Sequence, residues 1–208
     1  MSAAAAAPVT PPSTPLIISN GSQGLQVLQG NVPNKLVHQL TQRSVRCMQV
    51  SSDGRFLVYP DTGTDGERVK VLDLDSGKEH LDLPVTSSPQ FLKVSPKGTF
   101  IATWFPFRSQ KPGEVEVPNL TIFNTTTGSV AGSLVCKKMS KWEPEWTEDE
   151  SLCARLHNTE LLFYSKSGGT FDRWSHKMET QKTVNFVLAM NSRNGQTYAA
   201  CPCVPGPE

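Results

Sequence analysis

Lysine and arginine side chains stand close together in two short stretches of the sequence, each beside aromatic residues. Lys137, Lys138 and Lys141 directly precede a tryptophan, and Arg108 and Lys111 follow two phenylalanines in the string FPFRSQK. Cationic side chains neutralise phosphate, and a neighbouring ring can stack on an unpaired base. These five cations are therefore the candidate RNA-binding residues of the chain.

The same two stretches also have a purely structural interpretation. The rings of Trp104, Phe105, Trp142 and Trp146 have the placement of core residues, and surface lysines are often only solvated. Lys and Arg number 20 against 19 Asp and Glu, which leaves a net charge of +1. Because so small a charge creates no bulk attraction for nucleic acid, any RNA contact must use local patches.

The sequence shows no residue pattern typical of an enzyme, a cofactor site or a metal site. It has no G-x-S-x-G, no G-x-x-x-x-G-K-[ST] and no G-x-G-x-x-G string. The four histidines are scattered, and C-P-C at Cys201–Cys203 is not a zinc or redox spacing. Acidic residues between Glu143 and Glu150 could suggest an acid–base pair, but we expect them to be a solvated loop. The prediction is no enzymatic activity, no cofactor and no metal.

A strand-and-turn unit recurs at intervals of about forty to fifty residues. Two turns, SSDG ending at Gly54 and SPKG ending at Gly98, lie 44 residues apart, and TEDE at Thr147–Glu150 follows without a glycine. Each turn joins two apolar runs, and a third run ends in Asp73, Asn124 or Ser165 before a further turn. Several short strands in a repeat of this length are typical of a β-propeller blade. Asp73 stands where WD40 repeats place their aspartate, either as a functional residue or as a simple turn cap.

These repeats predict an all-β, WD40-like β-propeller, an incomplete ring of about four blades. A closed four-bladed ring is the alternative. Three prolines, Pro202, Pro205 and Pro207, are expected to end the last unit before it forms a third strand. The predicted organisation is a disordered Ala/Pro-rich tail at 1–15 and a partial propeller at 16–208, with blades near 16–44, 45–85, 86–136 and 137–180 and a truncated one at 181–208.

The composition favours a cytoplasmic protein. The first fifteen residues contain no lysine or arginine, so they resemble neither a signal peptide nor a transit peptide. No apolar run reaches the length of a membrane span. We expect Cys47, Cys136 and Cys153, which lie in or beside apolar runs, to be small buried hydrophobic residues.

Several strings, in order, resemble those of the eukaryotic translation initiation factor 2A family. The most specific is KKM-x-x-W-x-P-x-W-x-x-DE-x-LCAR at Lys137–Arg155, which general propeller physics would not fix. The other matching strings are STPL at 13–16, GSQGL at 21–25, SPKGTFIATW-x-P at 95–106, PNL at 118–120 and VPG at 204–206.

The resemblance implies that the chain is the amino-terminal part of a larger propeller. It also implies a non-enzymatic role in bringing initiator methionyl-tRNA to the small ribosomal subunit without GTP. The family's contacts with mRNA and with another initiation factor are implied to lie in regions that this chain does not contain. The alternative is a general WD40-like protein-interaction module with no RNA role, which the near-neutral charge favours.

Overall fold

The structure is a computed structural model in which every described element is a β-strand. No helix among the described residues is long and apolar enough to cross a membrane. The residues described are 14–30, 33–63, 65–111, 113–136, 144–157, 160–167, 170–177, 182–183, 187–190, 197–200 and 203–204.

The chain divides into two units, residues 1–45 and 46–208. The first unit holds one antiparallel sheet of β1 (Leu16–Gly21), β2 (Gly24–Gln29) and β3 (Lys35–Gln39). The Leu25 amide donates to the buried Thr41 hydroxyl at 2.9 Å, and Gly24 has a φ of +88°. A Cβ on residue 24 would overlap the Thr41 carbonyl, so both the backbone angle and the space there require glycine.

The second unit is built mainly from three four-stranded antiparallel sheets, in which each strand pairs with the next along the chain. The β4–β7 sheet comprises Gln49–Val50, Phe56–Gly63, Gly66–Asp73 and Lys78–Pro84. The β8–β11 sheet comprises Phe91–Val94, Phe100–Trp104, Leu120–Asn124 and Val130–Leu134. The β12–β15 sheet comprises Glu145–Trp146, Leu152–His157, Glu160–Ser167 and Thr170–Lys177.

Each of the three sheets contains one of the three sequence repeats. The first two strands flank the predicted turns SSDG, SPKG and TEDE, as expected. Glycine supplies a positive φ of +77° at residue 54 and +75° at residue 98. The predicted repeat pattern is therefore confirmed.

Four short strands follow the last of these sheets: β16 (Lys182–Thr183), β17 (Val187–Met190), β18 (Thr197–Ala200) and β19 (Cys203–Val204). β17 pairs antiparallel with β18. The expectation that the prolines prevent a third strand is wrong, since Cys203–Val204 pairs with Lys182–Thr183. Pro202 lacks an amide proton, but the two residues after it keep theirs, which leaves room for a short ladder.

The β8–β11 sheet has a buried core on both of its faces. Every residue of β9, Phe100–Trp104, is buried, which explains why this run is apolar throughout. Phe100 and Trp104 belong to a cluster shared with the β12–β15 sheet, whereas Ile101 belongs to a cluster shared with the β4–β7 sheet. Alternate side chains of one strand thus join three successive sheets, as stacked propeller blades require.

The strand order gives each sheet two ends with different connections. The connections from the first to the second strand and from the third to the fourth strand lie at one end, which we call the turn end. The second-to-third connection and the exit from the fourth strand leave the opposite end, which we call the loop end. In the β8–β11 sheet, the register pairs Leu120 with both Trp104 and Leu134, and these three residues mark the loop end.

Candidate nucleic-acid interface

Topology brings the 105–119 loop and the exit from β11 to the same end of one sheet. The loop of residues 105–119, which contains Arg108 and Lys111, begins after Trp104 at the loop end. The chain leaves the fourth strand at Leu134 and reaches Lys137 three residues later, from that same end. That these two connections lie at one end could not be deduced from their separation in sequence, because it depends on β10 lying between β9 and β11.

Arg108 and Lys111 are both exposed, as the prediction of phosphate contacts requires. No ion pair involves either side chain within the described residues. The Lys111 amide donates to the Glu114 carboxylate at 3.3 Å, and the Glu114 amide donates back to the Lys111 carbonyl at 3.1 Å. This reciprocal contact folds the loop into a local turn around Gly113.

The 105–119 loop is not basic by itself. It contains two cations and two carboxylates, Glu114 and Glu116, which balance one another. Lys137, Lys138 and Lys141 lie outside the described residues, so their predicted contacts stay predictions. An excess of positive charge at this loop end depends on those three lysines being near the 105–119 loop.

Asn119 links the start of the 105–119 loop to the exit from β11, and it is almost fully buried. Its amide nitrogen donates to the Phe105 carbonyl at 2.9 Å and to the Cys136 carbonyl at 3.2 Å. Its carbonyl oxygen accepts the Cys136 amide proton at 2.7 Å. The first residue of the 105–119 loop and the residue before Lys137 are therefore bonded to one side chain.

The aromatic residues around this end serve the core. Trp104 and Trp146 are 5% and 8% exposed, so the structural interpretation of these two rings is confirmed. Phe105 is half-buried, and Trp142 lies outside the described residues. The buried Trp104 indole N–H has no hydrogen-bond partner among the described residues, which is unusual for a buried donor.

Cations of the β4–β7 sheet are, by contrast, mostly neutralised. Arg68 bonds Asp82 at 2.6 Å, and the Lys70 ammonium lies 2.9 Å from Glu79 and 3.7 Å from Asp61. The hydrogen bond that the Lys70 ammonium donates to Glu79 raises the pKa of Lys70 above its usual range. Paired cations of this kind are poor candidates for phosphate contacts, because binding would first have to break the pair.

The turn end of the sheets carries structural contacts. Asp73 accepts the Ser76 amide proton at 2.8 Å and the Arg55 side chain at 3.0 Å. The hydrogen bond from the Ser76 amide, with help from Arg55, holds the pKa of Asp73 below its usual range. Asn124, at the same place in the next repeat, accepts the Thr126 amide at 2.8 Å. Asp73 is thus a turn cap, and nothing in its surroundings points to another role.

One member of the predicted solvated acidic loop is instead buried. Glu145, Glu148 and Asp149 are exposed as expected, but Glu150 is only 4% exposed and has a φ of +62°. Its carboxylate accepts the Lys97 amide proton at 2.6 Å and the Thr99 amide at 3.4 Å. The prediction failed for Glu150 because its partners belong to the preceding sheet, far away in sequence.

Glu150 supplies a carboxylate that the SPKG turn lacks. In the other two turns an aspartate at the third position accepts the amide two residues later: Asp53 from Arg55 and Asp149 from Ser151, each at 3.1 Å. SPKG has Lys97 at that position, so the equivalent Thr99 amide is without a local acceptor. The buried carboxylate from the next sheet takes this role and links the two sheets at their turn ends.

Three cysteines of the described residues show why no nucleophilic chemistry is assigned to them. Cys47 is half-buried, and this burial raises the pKa of its thiol to about 11, so it stays protonated near neutral pH. Cys136 and Cys153 are buried in the shared core, as expected. Burial likewise raises the pKa of Tyr59 to about 12.

Comparisons with known proteins agree with this architecture. No protein-family model matches the chain. A solved structure of a eukaryotic initiation factor matches with a TM-score of 0.69 and 20% identity, over 93% of this chain and 50% of that chain. The carboxy-terminal WD40 domain of Sif2 matches with a TM-score of 0.56 and 16% identity, over 89% and 51% of the two chains. The fold is that of a WD40-like β-propeller, and a match to about half of each solved chain agrees with the predicted incomplete ring.

Curated relatives share one name. Eukaryotic translation initiation factor 2A of Caenorhabditis elegans is 29% identical over 79% of this chain, and that of Drosophila melanogaster is 32% identical over 61%. The protein of that name from Schizosaccharomyces pombe is 29% identical over 74%. The predicted resemblance is confirmed: the chain is a relative of eukaryotic translation initiation factor 2A. Its matched region spans 29%, 20% and 25% of the length of these three relatives, respectively.

Proposed function

We propose that this chain is part of a non-enzymatic scaffold of translation initiation, acting in the cytoplasm. In this proposal it helps bring initiator methionyl-tRNA to the small ribosomal subunit, independently of GTP. Its relatives named eukaryotic translation initiation factor 2A carry the proposal. Contacts with mRNA and with other initiation factors are assigned to regions outside this chain.

The loop end of the β8–β11 sheet is the proposed contact surface for RNA. Arg108 and Lys111 are exposed there without ion pairs among the described residues, and Lys137, Lys138 and Lys141 follow Cys136 in sequence. Five cations against the two nearby carboxylates of the 105–119 loop would give this end a local positive charge. Such a local patch is compatible with a chain whose net charge is only +1.

Charge reversal of Lys137, Lys138 and Lys141 to glutamate tests the proposed surface. We expect weaker association with initiator tRNA and small subunits, and a salt slope reduced by about 0.7 to 0.9 for each lost phosphate contact. Co-sedimentation with small subunits and a salt-titrated tRNA binding assay, with and without GTP, measure both effects. Unchanged affinity and slope in a folded variant would remove these lysines from the surface.

A matched control changes the same amount of charge elsewhere. Lys35, Lys78 and Lys97 are exposed lysines. Lys35 belongs to the first unit, whereas Lys78 and Lys97 lie at the turn ends of the β4–β7 and β8–β11 sheets. Their combined replacement by glutamate alters the net charge equally and should leave the salt slope nearly unchanged. An equal loss of binding in both triple variants would indicate a bulk charge effect and no local site.

A protein-interaction module without an RNA role is the second candidate. The 105–119 loop favours it, because its charges balance and Val115 is 88% exposed beside the exposed Val117. Exposed apolar side chains on a loop are typical of protein contacts. Absence of tRNA binding at low salt, together with a stable protein partner, would support this candidate.

A further inference from the structure

We propose that Asn119 is the positioning residue of the loop end. Its side-chain amide fixes the start of the 105–119 loop, which carries the exposed Arg108 and Lys111, to Cys136 at the exit from β11. The role of these cations rests on the proposed function, whereas the positioning itself rests on described contacts. Asn119 need not touch RNA, and its burial at 1% exposure shields it from solvent.

The backbone of Asn119 extends the sheet by one residue on each side. Its carbonyl accepts the Phe105 amide proton at 3.0 Å, and its amide donates to the Leu134 carbonyl at 3.1 Å. Its side chain then bonds the Phe105 carbonyl and both backbone groups of Cys136. The side-chain amide thereby acts like an additional peptide group that joins the two flanking chains beyond the end of β10.

The orientation of this amide is determined by its partners. The Cys136 N–H can only donate, so the Asn119 atom that faces it must be the carbonyl oxygen. The nitrogen is then left to donate its two protons to the two backbone carbonyls, which can only accept. No other uncharged side chain of this size offers two donors and an acceptor in one plane.

The positioning matters for RNA because Arg108 and Lys111 lie on a long loop. The 105–119 loop is electrically balanced, so its attraction for phosphate is weak. A loop that is already ordered in its bound conformation loses less conformational entropy on binding, which matters most where the attraction is weak. Loss of the link should therefore weaken RNA binding even though every cation remains.

The test uses Asn119→Asp, which keeps the acceptor for the Cys136 amide and loses both donors. Asn124→Asp is the matched control, because its oxygen only accepts the Thr126 and Thr127 amide protons and aspartate can do the same. Amide hydrogen exchange is measured in peptides covering residues 105–111 and 131–136, which contain the two partners of the Asn119 side chain. Initiator tRNA affinity is measured at several salt concentrations.

The expected result for Asn119→Asp is faster exchange in both peptides, unchanged exchange in β9, and tRNA affinity lower by about threefold to tenfold. Asn124→Asp should change neither readout. Unchanged exchange in either peptide would overturn the positioning role, whatever happens to binding. Faster exchange in both peptides with unaltered tRNA affinity would overturn the link to RNA.

The experiment also distinguishes failure of the proposed function from failure of the variant to fold. If the wild-type chain binds no tRNA, the proposed function fails, while positioning by Asn119 still stands or falls on the exchange data. If Asn119→Asp lacks a cooperative thermal transition, Asn119→Ser replaces it. A serine hydroxyl has one proton and cannot bond both carbonyls, so the same exchange pattern is expected.

Discussion

The β4–β7 and β8–β11 sheets share one frame but differ at their loop ends. In the first sheet, β5 and β6 are joined by a tight hairpin that pairs Gly63 with Gly66. In the second, β9 and β10 are joined by residues 105–119, yet the ladder still pairs Trp104 with Leu120. The longer connection leaves the strand register intact, because a surface loop adds little closure cost to a sheet held by its own core.

The two sheets also differ in how their cations are used. Arg55, Arg68 and Lys70 of the first sheet are in ion pairs, whereas Arg108 and Lys111 of the second are in none within the described residues. The first sheet thus uses its charge to reinforce its own strands, and the second leaves charge available for a ligand. The four-stranded frame therefore fixes where a connecting loop lies, while the length of the connection determines how much unpaired charge that loop can expose.

The largest expected effect concerns the two equivalent phenylalanines that open the second strands, Phe56 and Phe100. Phe100 is fully buried and stacks on Trp146 with ring centroids 5.7 Å apart. Phe100→Ala should lower the free energy of unfolding by about 3 to 5 kcal/mol. Phe56 is half-buried against His80, so Phe56→Ala should cost clearly less. Urea unfolding measures both, and equal losses would contradict the two-sided core of the β8–β11 sheet.

The next prediction concerns the Glu150 carboxylate, which links the β8–β11 and β12–β15 sheets. Glu150→Ala leaves the Lys97 and Thr99 amides without their acceptor and should cost about 1 to 3 kcal/mol. Lys97→Asp restores a local acceptor, so it should stabilise the Glu150→Ala protein. In the wild-type background Lys97→Asp should destabilise, because two carboxylates would then compete for one turn.

Unfolding of these three variants in urea provides the measurement, with Glu148→Ala as the control. Glu148 is an exposed neighbour in the same turn, and its replacement should have little effect. A Lys97→Asp change with the same sign in both backgrounds would show that Glu150 does not replace the missing turn aspartate.

The strands could be predicted from sequence because their signals are local. Apolar runs, period-two patterns and turn glycines occur within a few residues of one another, and they located all three four-stranded sheets. The roles of Asn119 and Glu150 could not be predicted in this way. Asn119 bonds residues 14 and 17 positions away, and Glu150 bonds residues 53 and 51 positions away.

The available signals for these two residues were indirect. The string PNL contributed to the family resemblance without indicating a role for its asparagine. TEDE lacked the glycine of the other turns, which placed a glutamate at a positive φ. A non-glycine residue at such a position costs backbone energy, so the surrounding contacts must compensate. That missing glycine was the one local sign of a longer-range contact.

A smaller effect is expected when cations at the loop end of the β8–β11 sheet are compared with cations at the turn ends of the β4–β7 and β8–β11 sheets. Arg108→Glu with Lys111→Glu should reduce the salt slope of tRNA binding by about 1.4 to 1.8, if each cation contacts one phosphate. Lys78→Glu with Lys97→Glu changes the same charge at the turn ends and should leave the slope almost unaltered. Equal slopes for both double variants would mean that the loop end has no advantage in contacting RNA.

The smallest expected effect is an acid-dependent loss of stability from the turn aspartates. A hydrogen bond from the Ser51 hydroxyl holds the pKa of Asp53 below its usual 3.8, and one from the Thr147 hydroxyl does the same for Asp149. Because the folded-state pKa lies below the unfolded one, their contribution is complete above pH 3.8 and is lost as the pH falls through the folded value. Both side chains are exposed, so each contribution is small.

Asp53→Asn and Asp149→Asn therefore should lower the thermal midpoint slightly at pH 7 and make it less sensitive to acid below pH 4. In the SPKG turn Lys97 replaces the aspartate, so Lys97→Ala removes no turn carboxylate and should leave the acid sensitivity unchanged. Thermal unfolding between pH 7 and pH 3 compares the three variants. A wild-type midpoint that falls with acid no more than those of the two asparagine variants would show that these hydrogen bonds do not stabilise the turns.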